Sequence, residues 1–216
     1  MIRRRDRYLA LVGMALACRS GPPTARSHSV TWADPDSSPQ LQGYVYAWPS
    51  DVPLPAACRD TAVAIDGDSI GPLRIGQLLP SVLANCPQPL VGWDWGDEGI
   101  PTPALMVRFG VGTVLITLTD TTDTASVYYL STTSTALRTV DGVHIAMPVD
   151  SLNARLGPLE FVEGECGLFA VSRRRPHLGA QLTLPADSLE CGSLAPRPPA
   201  LPRGSVVAKL FLHRAT

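Results

Sequence analysis

The sequence predicts an α+β protein of two tandem units, each a short helix packed on a small antiparallel sheet. Three observations lead there. From about residue 58 the chain turns into short β-branched runs separated by turn residues, as strands of a small sheet require. Two stretches with helical spacing interrupt those runs, and both are only about two turns long, too short to hold without a sheet beneath them. The stretches also resemble one another at a fixed distance. Leu73-Arg74-Ile75-Gly76 aligns with Val143-His144-Ile145-Ala146, and Ser81-Val82-Leu83-Ala84 with Ser151-Leu152-Asn153-Ala154, at a constant offset of 70 residues (75 to 145, 81 to 151). Similarity at one period marks a unit written twice.

Taken in order, Leu73 and Ile75 alternate with Arg74 as a half-buried strand does, and Val143 and Ile145 alternate likewise with His144. Val82 with Asn85 or Cys86, and Leu152 with Leu156, fall on one helical face. LMVRF (105–109), GVG and TVLITLT (113–119) read as a hairpin, and SVYYL (126–130) as a third strand. GLFAVS (167–172), RRRPHLG and AQLTL (180–184) give another hairpin, and SVVAKLFLH (205–213) a last strand. The predicted boundaries are a signal segment over 1–17, a lipid-anchored tether over 18–57, a first unit over 58–135 and a second over 136–216.

ALRTVDGVHIAMPVDSLNARLG (136–157), with GPLRIGQLLPSVLANC as its partner copy, resembles a phrase common in small exported bacterial proteins. Such units are similar to the helix-plus-three-strand modules of the small outer-membrane assembly lipoproteins (the SmpA/OmlA type) and to the tandem halves of secreted β-lactamase inhibitor proteins. The motif is a folding signature and carries no chemistry. The copies depart from that phrase: Ala146 replaces the glycine present as Gly76, and Gln77 stands where Met147 stands. The resemblance implies a binding or scaffolding protein of the cell envelope.

The N-terminus points the same way. Arg3, Arg4, Arg5 and Arg7 precede an apolar run from Tyr8 to Ala17. That run is about 10 residues, against the roughly 18 needed to span a bilayer, so it describes an export signal and not an anchor helix. Ala15-Leu16-Ala17 fits a secretory cleavage site; the same residues followed by Cys18 resemble a bacterial lipobox, with Ala15 where leucine is favoured. The cysteines favour the second reading. If Cys18 takes the lipid, Cys58, Cys86, Cys166 and Cys191 remain to close two disulfides in an oxidising compartment. Of three connectivities, Cys58–Cys86 with Cys166–Cys191 is the simplest. Residues 19 to about 50, rich in Pro, Ser and Asp, read as a flexible tether, with GYVYAW (43–48) either pinned to the domain or mobile.

The formal charge of the chain is −1, and loss of the arginine-rich signal makes the remainder more acidic, which excludes nucleic acid as the expected partner. A phosphate loop at Gly71-Pro72-Leu73-Arg74-Ile75-Gly76 is disfavoured because Pro72 lacks an N–H and the strand alternation separates the two glycines. His28, His144, His177 and His213 are scattered without metal-ligand spacing, and no G-x-S-x-G occurs. The paired acids Asp97-Glu98 and Glu163 with Glu165 read as solvated loop residues, and no C-x-x-C supports redox chemistry. No metal, cofactor or catalytic residue is therefore expected.

Two features remain for a partner. Trp93 and Trp95 alternate beside Asp94 and Asp97, a mixture suited to a protein interface or a sugar-stacking surface, while the plainer reading has one or both tryptophans cover the sheet's edge. Arg173, Arg174 and Arg175 sit at a predicted hairpin tip. The expectation is a non-catalytic envelope lipoprotein, held by its N-terminal lipid in the outer membrane facing the periplasm, that binds a protein or supports an assembly. An inhibitor-like module is the alternative class, and a hydrolase or sugar-binding protein using the tryptophan–acid loop a third.

Overall fold

A computed structural model describes residues 29–41, 48, 50–59, 64–96, 99–110, 112–164, 167–183 and 204–214. The predicted signal segment, Cys18, Asp97, Cys166 and Cys191 lie outside these residues, as does most of GYVYAW.

The chain is mostly β, and this overturns the α+β expectation of two helix-on-sheet units. β4 (Leu90–Asp94), β5 (Thr102–Phe109), β6 (Gly112–Leu118), β7 (Val127–Thr132), β9 (Leu159–Gly164), β10 (Gly167–Ser172), β11 (Leu178–Leu182) and β12 (Val207–His213) form one sheet in the order β4-β5-β6-β7-β12-β11-β10-β9. Every neighbouring pair in it is antiparallel. The join is made by β7 and β12, where Leu210, Phe211, Leu212 and His213 face Thr132, Ser131, Leu130 and Tyr129. The physical reason for one sheet and not two lies in these strands. Each is apolar and ends a four-strand meander, so two separate sheets would expose two unpaired edges that a single pairing removes.

A second, small sheet has the order β3-β2-β1-β8, from β1 (Ala64–Asp66), β2 (Ser69–Ile70), β3 (Leu73–Arg74) and β8 (Arg138–Thr139). Its one parallel pair, β1 with β8, ties the start of the first predicted unit to the start of the second.

Among the described residues the α-helices are α1 (Leu79–Asn85) and α2 (Val149–Leu156), of seven and eight residues. Neither has a side-chain N-cap. The first N–H of each is satisfied instead by a carbonyl just ahead of a strand: Leu79 donates to Ala125 at 2.9 Å and Val149 to Ser205 at 3.2 Å. The helices bury Leu79, Val82 and Leu83, and Val149, Leu152 and Leu156, against one face of the large sheet. Leu105, Val107, Ile116, Leu168, Ala180 and Leu212 come from that face.

The opposite face is covered at its β4 end. Leu41 is fully buried there with Ala104, Met106 and Leu115, and Trp48 packs on the cluster. With both faces covered, β5 reads as an unbroken buried run from Pro103 to Val107 and not as an alternation. Gly92 leaves room for this covering segment: a Cβ there would lie 2.3 Å from the Pro39 carbonyl oxygen and 2.9 Å from Leu41 Cγ.

Candidate functional site

Trp93 is half-buried on β4, and the chain around residues 32–40 lies across it. Its indole ring sits 5.8 Å from that of Trp32, its Nε1 donates to the Ala33 carbonyl at 3.0 Å, and its backbone N–H donates to that of Pro39 at 3.1 Å. Asp94 accepts from the Thr117 hydroxyl at 3.2 Å and from the Gly96 N–H at 3.3 Å. Trp95 is half-buried beyond it. Two of the expected contact residues, Trp93 and Asp94, thus serve to hold the covering segment and the strand end.

The arginine tip likewise has internal partners. Arg175 pairs with Asp141 at 2.7 Å and lies 3.7 Å from Asp66, which joins the β10–β11 turn to the two turns of the small sheet. Arg173 lies 3.8 Å from Glu160, an exposed pair of little energetic consequence. Arg174 folds over Gly157, where an added Cβ would meet its Nε at 2.8 Å. Cys58 and Cys86 form a disulfide, which fixes the C-terminal end of α1 to the strand-like segment beside β5. The expected Cys166–Cys191 bridge lies outside the described residues.

The approaches to α1 and α2 show the same hydrogen-bond frame. Gly76 donates to Val127 and Ala146 to Val207; Val127 donates to Gln77 and Val207 to Met147. Gln77 donates to Arg74 and Met147 to His144; Val82 donates to Leu78 and Leu152 to Pro148. The residues that open each frame have positive φ, 81° at Gly76 and 67° at Ala146.

The side chains on this common frame do different things. Gln77 lies over the first: its Oε1 accepts from the Arg74 N–H at 2.9 Å and its Nε2 donates to Ser81 Oγ at 3.0 Å. Met147, at the matching place in the second, is buried in the core at 3% exposure. A surface depression of about 490 Å³ stands there, lined by His144, Met147, Pro148, Ser151, Ala154 and Arg155. These six residues match Arg74, Gln77, Leu78, Ser81, Ala84 and Asn85 at the offset of 70.

Two polar walls of the depression are held in place. Arg155 donates through Nη1 to the Asp141 carbonyl at 2.6 Å. His144 Nδ1 lies 2.8 Å from the Ile145 carbonyl oxygen, which only accepts, so Nδ1 donates this bond and the ring is held against the backbone. The arrangement offers hydrogen bonds and apolar contact on an open surface. Among the described residues no group of three or more His, Cys, Asp or Glu stands close enough to hold a metal ion. Nor does any described helix have the length and apolar character to cross a membrane. The sequence pointed away from this place because His144 read as an outward surface residue; the signal that identifies it is the Gln77–Met147 difference at the offset of 70.

No family model matches the sequence, and no curated relative matches it. The fold is similar to that in the crystal structure of the uncharacterized protein yfeY from Escherichia coli, with 15% identity and a TM-score of 0.50 over 70% of this chain and 99% of that one. At that identity the likeness is one of fold.

Proposed function

We propose that the chain is a non-catalytic, lipid-anchored protein of the cell envelope that docks a protein partner through the open depression beside α2. The observation that carries the reading is the contrast between two matching frames, one closed by its own Gln77 and one left open. A shallow site with hydrogen-bonding groups pinned at its walls suits recognition of a surface segment. The envelope assignment rests on the basic, apolar, cysteine-terminated start of the chain and agrees with the Cys58–Cys86 disulfide, since such bonds persist in oxidising compartments. Lipid on Cys18 would anchor the protein in the outer membrane facing the periplasm. Several acyl chains at about 0.8 kcal/mol per buried CH₂ hold a protein firmly without a basic patch.

Crosslinking and pull-down from intact envelopes test both parts. The expected result is a protein partner with the wild type, and transfer of Cys18→Ala to the soluble fraction. Recovery of lipid alone would overturn partner docking, and a Cys18→Ala variant that still incorporates palmitate would overturn the anchor.

A further inference from the structure

We infer that the depression beside α2 takes a glutamine side chain from the partner polypeptide, in the place that Gln77 fills within the chain beside α1; this rests on the docking reading above. Gln77 shows what the frame binds. Its carboxamide spans a backbone N–H at Arg74 and a hydroxyl at Ser81, accepting from the first and donating to the second, at 2.9 and 3.0 Å. The second frame keeps both of these groups. His144 matches Arg74 and Ser151 matches Ser81, and both residues line the depression. What the second frame lacks is the carboxamide. The Met147 side chain has no N–H and only a weakly accepting sulfur, and it is buried in the core.

The rest of the depression fits a polypeptide carrying that side chain. Pro148, Ala154 and the Met147 floor give apolar contact for its methylenes. The Arg155 guanidinium, held by Asp141 through one nitrogen, keeps further N–H donors for a backbone carbonyl, and the His144 ring leaves Nε2 for a further hydrogen bond. A carboxylate in the same place would accept from the His144 N–H, but it could bond Ser151 only if the hydroxyl turned from acceptor to donor. An aliphatic side chain satisfies neither group. The site therefore prefers glutamine by the two hydrogen bonds that an isosteric apolar residue leaves unmade.

The test is a titration of the isotopically labelled mature chain with N-acetyl-L-glutamine methylamide, followed by backbone amide shifts. Saturable shifts confined to residues 144–155 are expected, with no matching response at 74–85, where Gln77 already occupies the frame. The norleucine analogue should bind more weakly, and Ser151→Ala, an exposed substitution that leaves the core untouched, should weaken the glutamine probe roughly two- to tenfold, the worth of one neutral hydrogen bond. Met147→Gln, if folded, should abolish probe binding by filling the site from within. Equal affinity for the norleucine analogue, shifts centred elsewhere, no saturable shift, or a Ser151→Ala variant that binds the probe unchanged would each overturn the inference. Failure of the docking reading looks different. If envelopes yield no protein partner, that reading falls whatever the probe does; if wild type and Ser151→Ala recover the same partner equally, that reading stands and this inference falls.

Discussion

The frames at residues 74–85 and 144–155 share a hydrogen-bond pattern and differ in what the side chains were left to do. Around α1 the chain completes itself. Gln77 closes the surface, Gly76 accepts a left-handed backbone without strain, and the Cys58–Cys86 bridge fastens the helix end. Around α2 each of those positions is altered: Met147 has moved inward, Ala146 holds the left-handed conformation with a Cβ, and Leu156 occupies the position of Cys86. The backbone pattern can thus be kept by strand and helix pairing alone, and the side chains above it are free to close one frame and leave the other open.

The largest break in that comparison comes from the disulfide. In the loop-entropy account, a bridge across a sequence separation of 28 stabilises by about 3–4 kcal/mol. The Cys58→Ser/Cys86→Ser variant should lose roughly that amount in urea denaturation. A double serine variant is preferable to reductant, because it changes this bridge alone. Next comes the helix core. Leu152 is fully buried on α2, and Leu152→Ala should cost about 3 kcal/mol; Val82→Ala, at the matching place on α1, removes fewer carbon atoms and should cost less. If the Val82 variant proves the more damaging of the two, α1 and not α2 carries the more tightly packed contact.

Much of the local structure was legible for the same reason that these cores matter. The short apolar runs GLFAVS and SVVAKLFLH mark β10 and β12, and the hairpin read from 105–119 is β5 and β6. What was not legible was the pairing of β7 with β12. Leu130 and Leu212 are far apart in sequence, and no local pattern says that two strands with apolar edges will find each other. Hence two separate units were expected where one sheet forms. β4 was hidden because VGWDW, with a glycine and an acid, reads as a loop; its glycine is there to admit Pro39 and Leu41, and its acid is bonded to Thr117. The tryptophans and arginines singled out as partner contacts were visible as types, but their use inside the fold depends on Trp32, Ala33, Asp141 and Asp66, all distant in sequence.

The Gly76–Ala146 difference makes a smaller and cleaner test. An L-residue in the left-handed region loses roughly 1–2 kcal/mol to contact between its Cβ and the backbone. Glycine gives back part of any gain through the greater freedom of its unfolded chain, about 0.4–1 kcal/mol. Ala146→Gly should therefore stabilise by about 0.5–1 kcal/mol. Gly76→Ala should destabilise by a similar amount, since a Cβ at Gly76 meets nothing within 4 Å and only the backbone conformation is at stake. Opposite shifts of similar size in urea midpoint would mark the two positions as equivalent. Shifts of the same sign would show that the turns are held by different forces.

The smallest expected effect separates the frames by pH. Asp120, in the turn between β6 and β7, accepts from the Thr122 hydroxyl, from the Thr122 N–H at 2.7 Å and from the Thr119 hydroxyl at 3.1 Å. The Thr122 hydroxyl is the largest of the influences that hold its carboxyl below the ordinary value; slight desolvation opposes them. A carboxyl lowered in the folded state contributes stability that is fully present above its unfolded pKa and is lost as pH falls through the folded one, here below about pH 4. The turn matters to the comparison because it leads directly into Ala125, whose carbonyl receives the first N–H of α1. Acid should therefore loosen the α1 frame before the α2 frame. Hydrogen exchange reads this as a fall in protection of the Leu79 N–H relative to that of Val149 between pH 6 and pH 3, with Asp120→Ala showing the lower ratio at both. A ratio that stays constant in the wild type would mean that the β6–β7 turn does not govern how firmly α1 is seated.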